Sequence, residues 1–168
     1  PIFAGMPNSA DAVTLNGDID LNSYTLHLRG GGVGTINGVI SEGGASALTK
    51  SDAGTWTLGG ANTFAGRVTL INGTLKLGAN GSLDPQVGVS FSCATGWYSV
   101  AHATLDLNGK NQTISQLEGT ISQTWLTNIL TSAAAATLTV NQSATTVFNG
   151  RLAGALSLLK TGAGALTL

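Results

Sequence analysis

The chain alternates apolar and small polar residues in short runs, and Asn-Gly pairs separate many of these runs. Such alternation is typical of a β-strand that buries one face. Asn and Gly tolerate a positive φ, so an Asn-Gly pair permits an abrupt change of chain direction. The runs include 13–15, 25–28, 55–58, 68–70, 74–77, 104–107 and 137–140, and the Asn-Gly pairs stand at 16–17, 37–38, 72–73, 80–81, 108–109 and 149–150. The sequence therefore predicts an all-β fold of many short strands joined by tight corners.

The charge content excludes several classes of protein. Only 9% of the 168 residues are charged, against about 25% in an ordinary globular domain. The long polar residues that build surface helices are therefore scarce. The 7 basic residues form no cluster, which argues against nucleic acid and anionic lipid as partners. The apolar runs are too short to cross a membrane, so we expect no membrane insertion of this segment.

Two long blocks of the chain resemble each other. Residues 25–58 match residues 137–168, with Thr25 corresponding to Thr137 and Lys50 to Lys160. Internal similarity at a long offset favours a solenoid over a sandwich or a barrel. We expect about 20–25 residues per coil, roughly seven or eight coils and a rod ~35 Å long. Leu and Val should point inward, and Thr, Asn and Ser outward.

Residues 48–78 contain glycines, an Asn-Thr-Phe triplet and alternating apolar residues at fixed spacing. The pattern consists of Lys50, Gly54, Trp56, Leu58, Asn62, Thr63, Phe64, Gly66, Val68, Leu70, Gly73, Thr74 and Leu75. It resembles the passenger-associated repeat of bacterial autotransporters, except that Asp52 stands where a glycine is usual and Trp56 where a leucine is usual. Residues 105–119 are similar to the segment that commonly follows this repeat, and residues 158–168 resemble the start of a second copy.

The resemblance implies a fold and a location. It implies a right-handed parallel β-helix that is carried to the extracellular side or the outer-membrane surface of a Gram-negative bacterium. We expect residues 1–168 to form one β-helix segment. The N-terminus has neither an initiating Met nor a signal peptide, which predicts a fragment or processed piece of a longer chain.

The residues that could carry chemistry are few and dispersed. Asp18 and Asp20 form a two-apart carboxylate pair, but no third carboxylate or basic residue lies near them in the sequence, so we interpret them as solvated or turn-capping residues. His27 and His102, the two histidines, show no spacing that suggests a triad. Cys93 is the single cysteine and is interpreted as a small buried residue. We therefore predict no catalytic, metal-binding or cofactor-binding residues, no cofactor and no enzyme activity.

Two sets of residues are candidates for contacts with partners. Residues 91–98 break the strand alternation and contain Trp97 and Tyr98, and Trp125 lies in a second irregular stretch. These three aromatic residues form a possible contact surface. The apolar residues near the chain ends, which could pair end to end with another solenoid, are Ile2, Phe3, Leu166 and Leu168.

Three functions remain open at this stage. The leading hypothesis is a non-enzymatic secreted or cell-surface module, a stalk or adhesin scaffold whose partner is a host or matrix protein or a glycan. The alternative is a subunit of an extracellular filament that binds itself by stacking through open β-helix ends. A carbohydrate-active enzyme on a β-helix ranks last, because the chain offers so few charged residues.

Overall fold

A computed structural model describes residues 2–6, 8, 10–42, 46–92, 102–121 and 126–168. These residues form strands and no helix. The strands are β1 Ile2–Met6, β2 Ala12–Leu15, β3 Ile19–Asp20, β4 Thr25–Gly30, β5 Val33–Ile36, β6 Ile40–Ser41, β7 Ala47–Lys50, β8 Thr55–Leu58, β9 Val68–Leu70, β10 Gly73–Leu77, β11 Gly88–Phe91, β12 His102–Asp106, β13 Gln112–Ile114, β14 Gln116–Glu118, β15 Thr127–Asn141, β16 Thr146–Val147, β17 Arg151–Thr161 and β18 Leu166–Thr167.

The strands stack in parallel along three faces of a solenoid of about 7 turns. Face A contains β1, β4, β7, β9, β11 and β14, and a bridge between Gly119 and Phe148 continues it to β16 and β18. Face B contains β2, β5, β8, β10, β12 and the first half of β15, which pairs onward with β17. Face C contains β3, β6, β13 and the second halves of β15 and β17. The predicted all-β parallel solenoid is therefore confirmed.

The coils differ in length more than the sequence suggests. Thr74 pairs with Thr55, 19 residues earlier, and with Thr104, 30 residues later. The expected range of 20–25 residues per coil is therefore too narrow. The longer spacing spans the part of the chain between β11 on face A and β12 on face B.

Inward residues of successive coils stack in columns that fill the interior of the solenoid, and on face B two such columns run side by side, with Leu77 over Leu58 in one of them. Along β10 buried and half-buried residues alternate, and Leu75 lies directly over the fully buried Trp56 of the preceding coil. Three threonines and Lys76 occupy the half-buried outward positions of β8 and β10. The predicted inward direction of Leu and Val is confirmed for these strands, since the core consists mainly of Leu, Val, Ile and Phe.

Several amide side chains point inward, so the expectation that Asn points outward is wrong at these positions. Asn62 is buried; its Oδ1 accepts a hydrogen bond from Ile40 N (2.9 Å) in the preceding coil, and its Nδ2 donates to Ser82 O (2.8 Å) in the following coil. Gln112 also bridges two coils: its Oε1 accepts a hydrogen bond from Leu83 N (3.0 Å), and its Nε2 donates one to Leu83 O (2.9 Å). An amide offers both a donor and an acceptor, so it replaces backbone pairing where a coil turns.

The two similar blocks of the sequence lie on different faces of the solenoid. Thr25 is on β4 of face A, whereas Thr137 is in the second half of β15 on face C. From β4, which contains Thr25, to the second half of β15, which contains Thr137, the chain passes through four full coils and two additional faces. The local geometry is nevertheless the same, because Gly54 N donates to Gly30 O (2.9 Å) and Gly164 N donates to Gln142 O (3.0 Å).

Glycine at position 54 is required by the close approach of neighbouring coils. A Cβ on Gly54 would lie 2.3 Å from Gly32 O and 2.5 Å from Gly30 O, both of them backbone atoms, whereas a Cβ on exposed Gly17 would meet nothing within 4 Å. We expect Gly54→Ala to lower the free energy of unfolding by about 3 kcal/mol and Gly17→Ala to change it by less than about 1 kcal/mol. Urea unfolding measures both; equal effects would contradict the inferred coil contact.

Candidate binding surfaces

The two N-terminal carboxylates cap backbone amides. Asp18 Oδ1 accepts a hydrogen bond from Val39 N (2.7 Å), and Asp20 Oδ1 accepts one from Asn22 N (3.0 Å). Asp20 therefore caps its own turn, as expected, whereas Asp18 binds a backbone amide of the next coil, 21 residues away. No group of three or more potential metal ligands occurs within the part of the chain that the structure describes.

The two histidines lie on different faces. His27, on face A, stacks on Phe3 with ring centroids 5.0 Å apart and planes 20° apart. Burial lowers the pKa of His27 and the Arg29 guanidinium lowers it further, so both favour the neutral imidazole. His102, on face B, forms a hydrogen bond with the Thr127 hydroxyl. As expected, the histidines occupy surface or partly buried positions.

The aromatic contact surface predicted from the sequence lies outside the described residues. Trp97 and Tyr98 belong to the segment 93–101, as does Cys93, and Trp125 belongs to the segment 122–125. The role of these residues stays a prediction.

The predicted end-pairing residues do lie at the two ends of the solenoid. Ile2 and Phe3 are on β1, which pairs with β4 on one side. Leu166 is on β18, which pairs with β16, and Leu168 follows that strand. Phe3 and Leu168 are 62% and 66% exposed. Pairing between copies through these residues stays a prediction.

Face A also has a groove of about 420 Å³ that sequence reasoning missed. Its outward-facing walls come from three successive coils: Ser90 and Ser92, then Glu118 and Thr120, then Thr145 and Val147. These pairs are far apart in the sequence and converge only through strand register. No local motif marks them, because serine and threonine occupy outward positions throughout the chain.

The Glu118 carboxylate, which lines this groove, is already paired with other side chains of the chain. Arg67, two coils before Glu118, forms a salt bridge with it. The other carboxylate oxygen of Glu118 accepts a hydrogen bond from Gln116 Nε2 (2.7 Å). The groove therefore presents mainly hydroxyl groups and one exposed valine to solvent.

A buried amide without a partner lies behind the groove floor. Asn128 is fully buried, and neither its Nδ2 nor its Oδ1 has a hydrogen-bond partner among the residues that the structure describes. A Cβ on Gly119, which lines the groove, would lie 3.0 Å from Asn128 Nδ2 and 2.7 Å from Phe91 Cβ. The absence of a side chain at Gly119 lets Phe91 and Phe148 approach across the coil, with centroids 5.3 Å apart.

A buried lysine links two coils at the corner between faces A and B. Lys50 has no exposed surface, and its Nζ donates to Ser51 O (2.7 Å), Asp52 O (2.7 Å) and, one coil later, Asn72 O (3.0 Å). Burial lowers the pKa of Lys50 to about 8, although the Asp52 carboxylate opposes this shift. Lys160 donates to Thr161 O and Gly162 O in the corresponding way.

Both departures from the repeat pattern have a structural explanation. Asp52 adopts a φ of 62°, the conformation for which glycine is usual, and its Oδ2 accepts a hydrogen bond from Gly30 N (2.8 Å). Trp56 fits where leucine is usual because it pairs with Gly34, whose Cβ would lie 2.4 Å from the indole ring.

Comparisons with known proteins agree with this repeat. Residues 48–77 match the passenger-associated-transport-repeat family, so the predicted repeat is confirmed. The chain is 39% identical over 143 residues to the adhesin BmaC autotransporter of Brucella suis biovar 1 (strain 1330). The alignment covers 85% of this chain and 4% of that relative, so the chain spans a small part of its length. No solved structure matches the chain.

Among the described residues, none lies in a helix with the length and apolar character needed to cross a membrane.

The lowered pKa of Lys50 predicts a pH-dependent stability. Between pH values of about 8 and 10.4, the unfolded chain holds the lysine proton that the folded chain has released, so the free energy of unfolding rises with pH. Relative to Lys50→Met, the wild-type protein should gain about 2 kcal/mol across this range. Urea unfolding at several pH values measures the difference.

A matched variant controls for the loss of one lysine charge. Lys76→Met removes an outward lysine of face B that pairs with Asp106. The difference in the free energy of unfolding between wild type and this variant should not rise with pH. A wild-type advantage over Lys50→Met that is constant or falls with pH would show that the three carbonyl groups hold Lys50 charged.

Proposed function

We propose that this chain is a segment of the surface-exposed passenger region of a Gram-negative autotransporter, where it acts as a non-enzymatic adhesive scaffold. The observation that carries the proposal is the passenger-associated-transport-repeat at residues 48–77 within a continuous parallel solenoid. The similarity to a protein named as an autotransporter adhesin supports it. The proposed location is the extracellular side or the outer-membrane surface.

The proposed mechanism is geometric. About 7 coils at a strand spacing of ~4.8 Å form a rod about 30–35 Å long. Stacking satisfies the backbone groups inside the rod, so the outward side chains of all three faces are available for contacts. These side chains are small and mostly uncharged, which suits adhesion through hydroxyl and aromatic groups more than through charge.

The aromatic residues Trp97, Tyr98 and Trp125 are the proposed contact residues. In the sequence, the segment with Trp97 and Tyr98 begins one residue after the groove residue Ser92, and the segment with Trp125 begins two residues after the groove residue Thr120. Tryptophan and tyrosine combine a large apolar area with one polar group, which suits contact with a protein or a glycan. The proposed partners are a host or matrix protein or a glycan.

A bead-adhesion assay tests this proposal. Fluorescent beads coated with the chain should bind to host epithelial cells and to immobilised extracellular matrix more than albumin-coated beads do. The triple variant Trp97→Ala, Tyr98→Ala, Trp125→Ala should lose most of this binding, because it removes the proposed contacts.

The control is Tyr24→Ala, which removes a tyrosine that is 54% exposed elsewhere on the solenoid. Beads that carry this variant should bind like wild type. Wild-type beads that bind no more than albumin beads would overturn the adhesive function. Full binding by the triple variant would overturn the assignment of these three residues.

A second candidate function is a filament subunit that stacks end to end with copies of itself. Among the described strands, β1 pairs with β4 and β18 pairs with β16, so a strand of another copy could pair beside β1 or β18. Exposed parallel edges template the addition of strands. Phe3 and Leu168, both exposed, lie beside these edges and would become buried.

Electron microscopy across a concentration series, with mass photometry, tests the second candidate. Long fibres with an axial repeat of one chain would support it, and Phe3→Lys with Leu168→Lys should then shorten the fibres because a charge would be buried at each junction. Short rods of one chain at every concentration would contradict filament formation and leave the adhesive function in place.

A further inference from the structure

The shape of the face A groove suits a short linear ligand. Its walls come from three coils, so it extends about 10 Å along the rod. Ser90, Glu118 and Val147 form one outward row, and Ser92 and Thr120 lie in the next row. Two linked sugar rings have a comparable length.

The groove cannot recognise an extended peptide through its backbone. Gly119 N donates to Val147 O (2.9 Å), and Asn149 N donates to Gly119 O (3.1 Å). β11, at the other side of the groove, pairs with both β9 and β14. Addition of a peptide strand requires unpaired backbone groups at a sheet edge, and the strands under this groove are paired on both sides.

The chemistry of the walls favours a neutral ligand with many hydroxyl groups. Each hydroxyl of Ser90, Ser92, Thr120 and Thr145 has one donor and two acceptor lone pairs, of which Thr145 uses one lone pair to accept a hydrogen bond from Ala165 N (3.5 Å). Val147, which is 42% exposed, offers an apolar contact. The Glu118 carboxylate is already paired with Arg67, so a charged ligand would gain no free counter-ion. Sites that combine a few polar groups with apolar surface are typical of small-ligand binding.

The core behind the groove shows a second, independent irregularity. Asn128 is the residue whose buried side-chain atoms lack a partner among the described residues, and it lies behind Gly119. Buried polar groups without partners are rare and cost free energy. The core at this point therefore contains a polar group that lowers stability, and such local costs are common at functional sites.

We propose that the face A groove is a ligand site of the adhesive module and that it binds a neutral oligosaccharide. This inference rests on the proposed adhesive function, for which it names the ligand class and the site. The hydroxyl groups of the walls exchange hydrogen bonds with sugar hydroxyls, and Val147 packs against the C–H face of a ring.

A glycan array followed by calorimetry tests the proposal. The whole chain is applied to immobilised neutral, sialylated and sulfated oligosaccharides, and the strongest neutral binder is titrated in solution.

Val147→Arg, which fills the groove, should weaken binding by at least about tenfold. Val33→Arg is the matched control, because Val33 is a 52% exposed valine on face B, and its affinity should stay within about twofold of wild type. Because the ligand is neutral, the affinity should not depend on salt.

A second pair of variants guards against misfolding. Thr145→Arg enters the same groove, and Thr35→Arg occupies an outward position on face B; thermal unfolding confirms that each variant folds. Loss of binding in Thr145→Arg and not in Thr35→Arg supports the site. Unchanged binding in both groove variants would overturn it.

Other outcomes separate this proposal from the adhesive function. If wild-type beads adhere to cells or matrix and the chain binds no neutral glycan, or binds only sialylated or sulfated ones, the ligand assignment fails and the adhesive function stands. If the beads do not adhere and no glycan binds, both fail. Neutral glycan binding that the groove variants abolish supports the site even where bead adhesion depends on other residues.

Discussion

Parallel backbone hydrogen bonding between successive coils is the constraint on which this structure depends. A coil of about twenty residues has no core of its own, so each coil is stable only against the next one. Where a corner interrupts the pairing of backbone groups, an inward amide replaces it, as Asn62 does between Ile40 and Ser82. Buried amides such as Asn62 and Gln112 therefore belong to the same hydrogen-bonded framework as the strands.

The corners show how closely the coils must match. Gly54 lies against backbone carbonyl groups of the preceding coil, and Gly34 leaves the space that Trp56 occupies. Lys50 then joins its own corner to the next one through three carbonyl groups. A buried cation is costly to desolvate, and these contacts compensate its charge with backbone dipoles at a place where two coils meet.

Local sequence patterns predicted the strands, the parallel solenoid and the passenger-associated repeat, because alternation and corner residues are encoded within a few positions. They did not predict that Asn62 and Gln112 point inward, since an amide looks the same in a sequence whether it faces solvent or replaces a backbone partner. They also missed the face A groove. Ser90, Glu118 and Val147 meet only because the intervening corners have particular lengths, and corner length sets a register that no local pattern reveals.

The offset between the two similar blocks has a geometric consequence. Because the second block begins on face C and the first on face A, matching side chains point in different directions around the rod. In a rod built from such blocks, a feature that recurs in every block would shift by two faces from one block to the next. It would return to the same face only after three blocks. Copies of that feature would therefore lie on all three faces, and a flat partner surface could contact one of them from any direction around the rod.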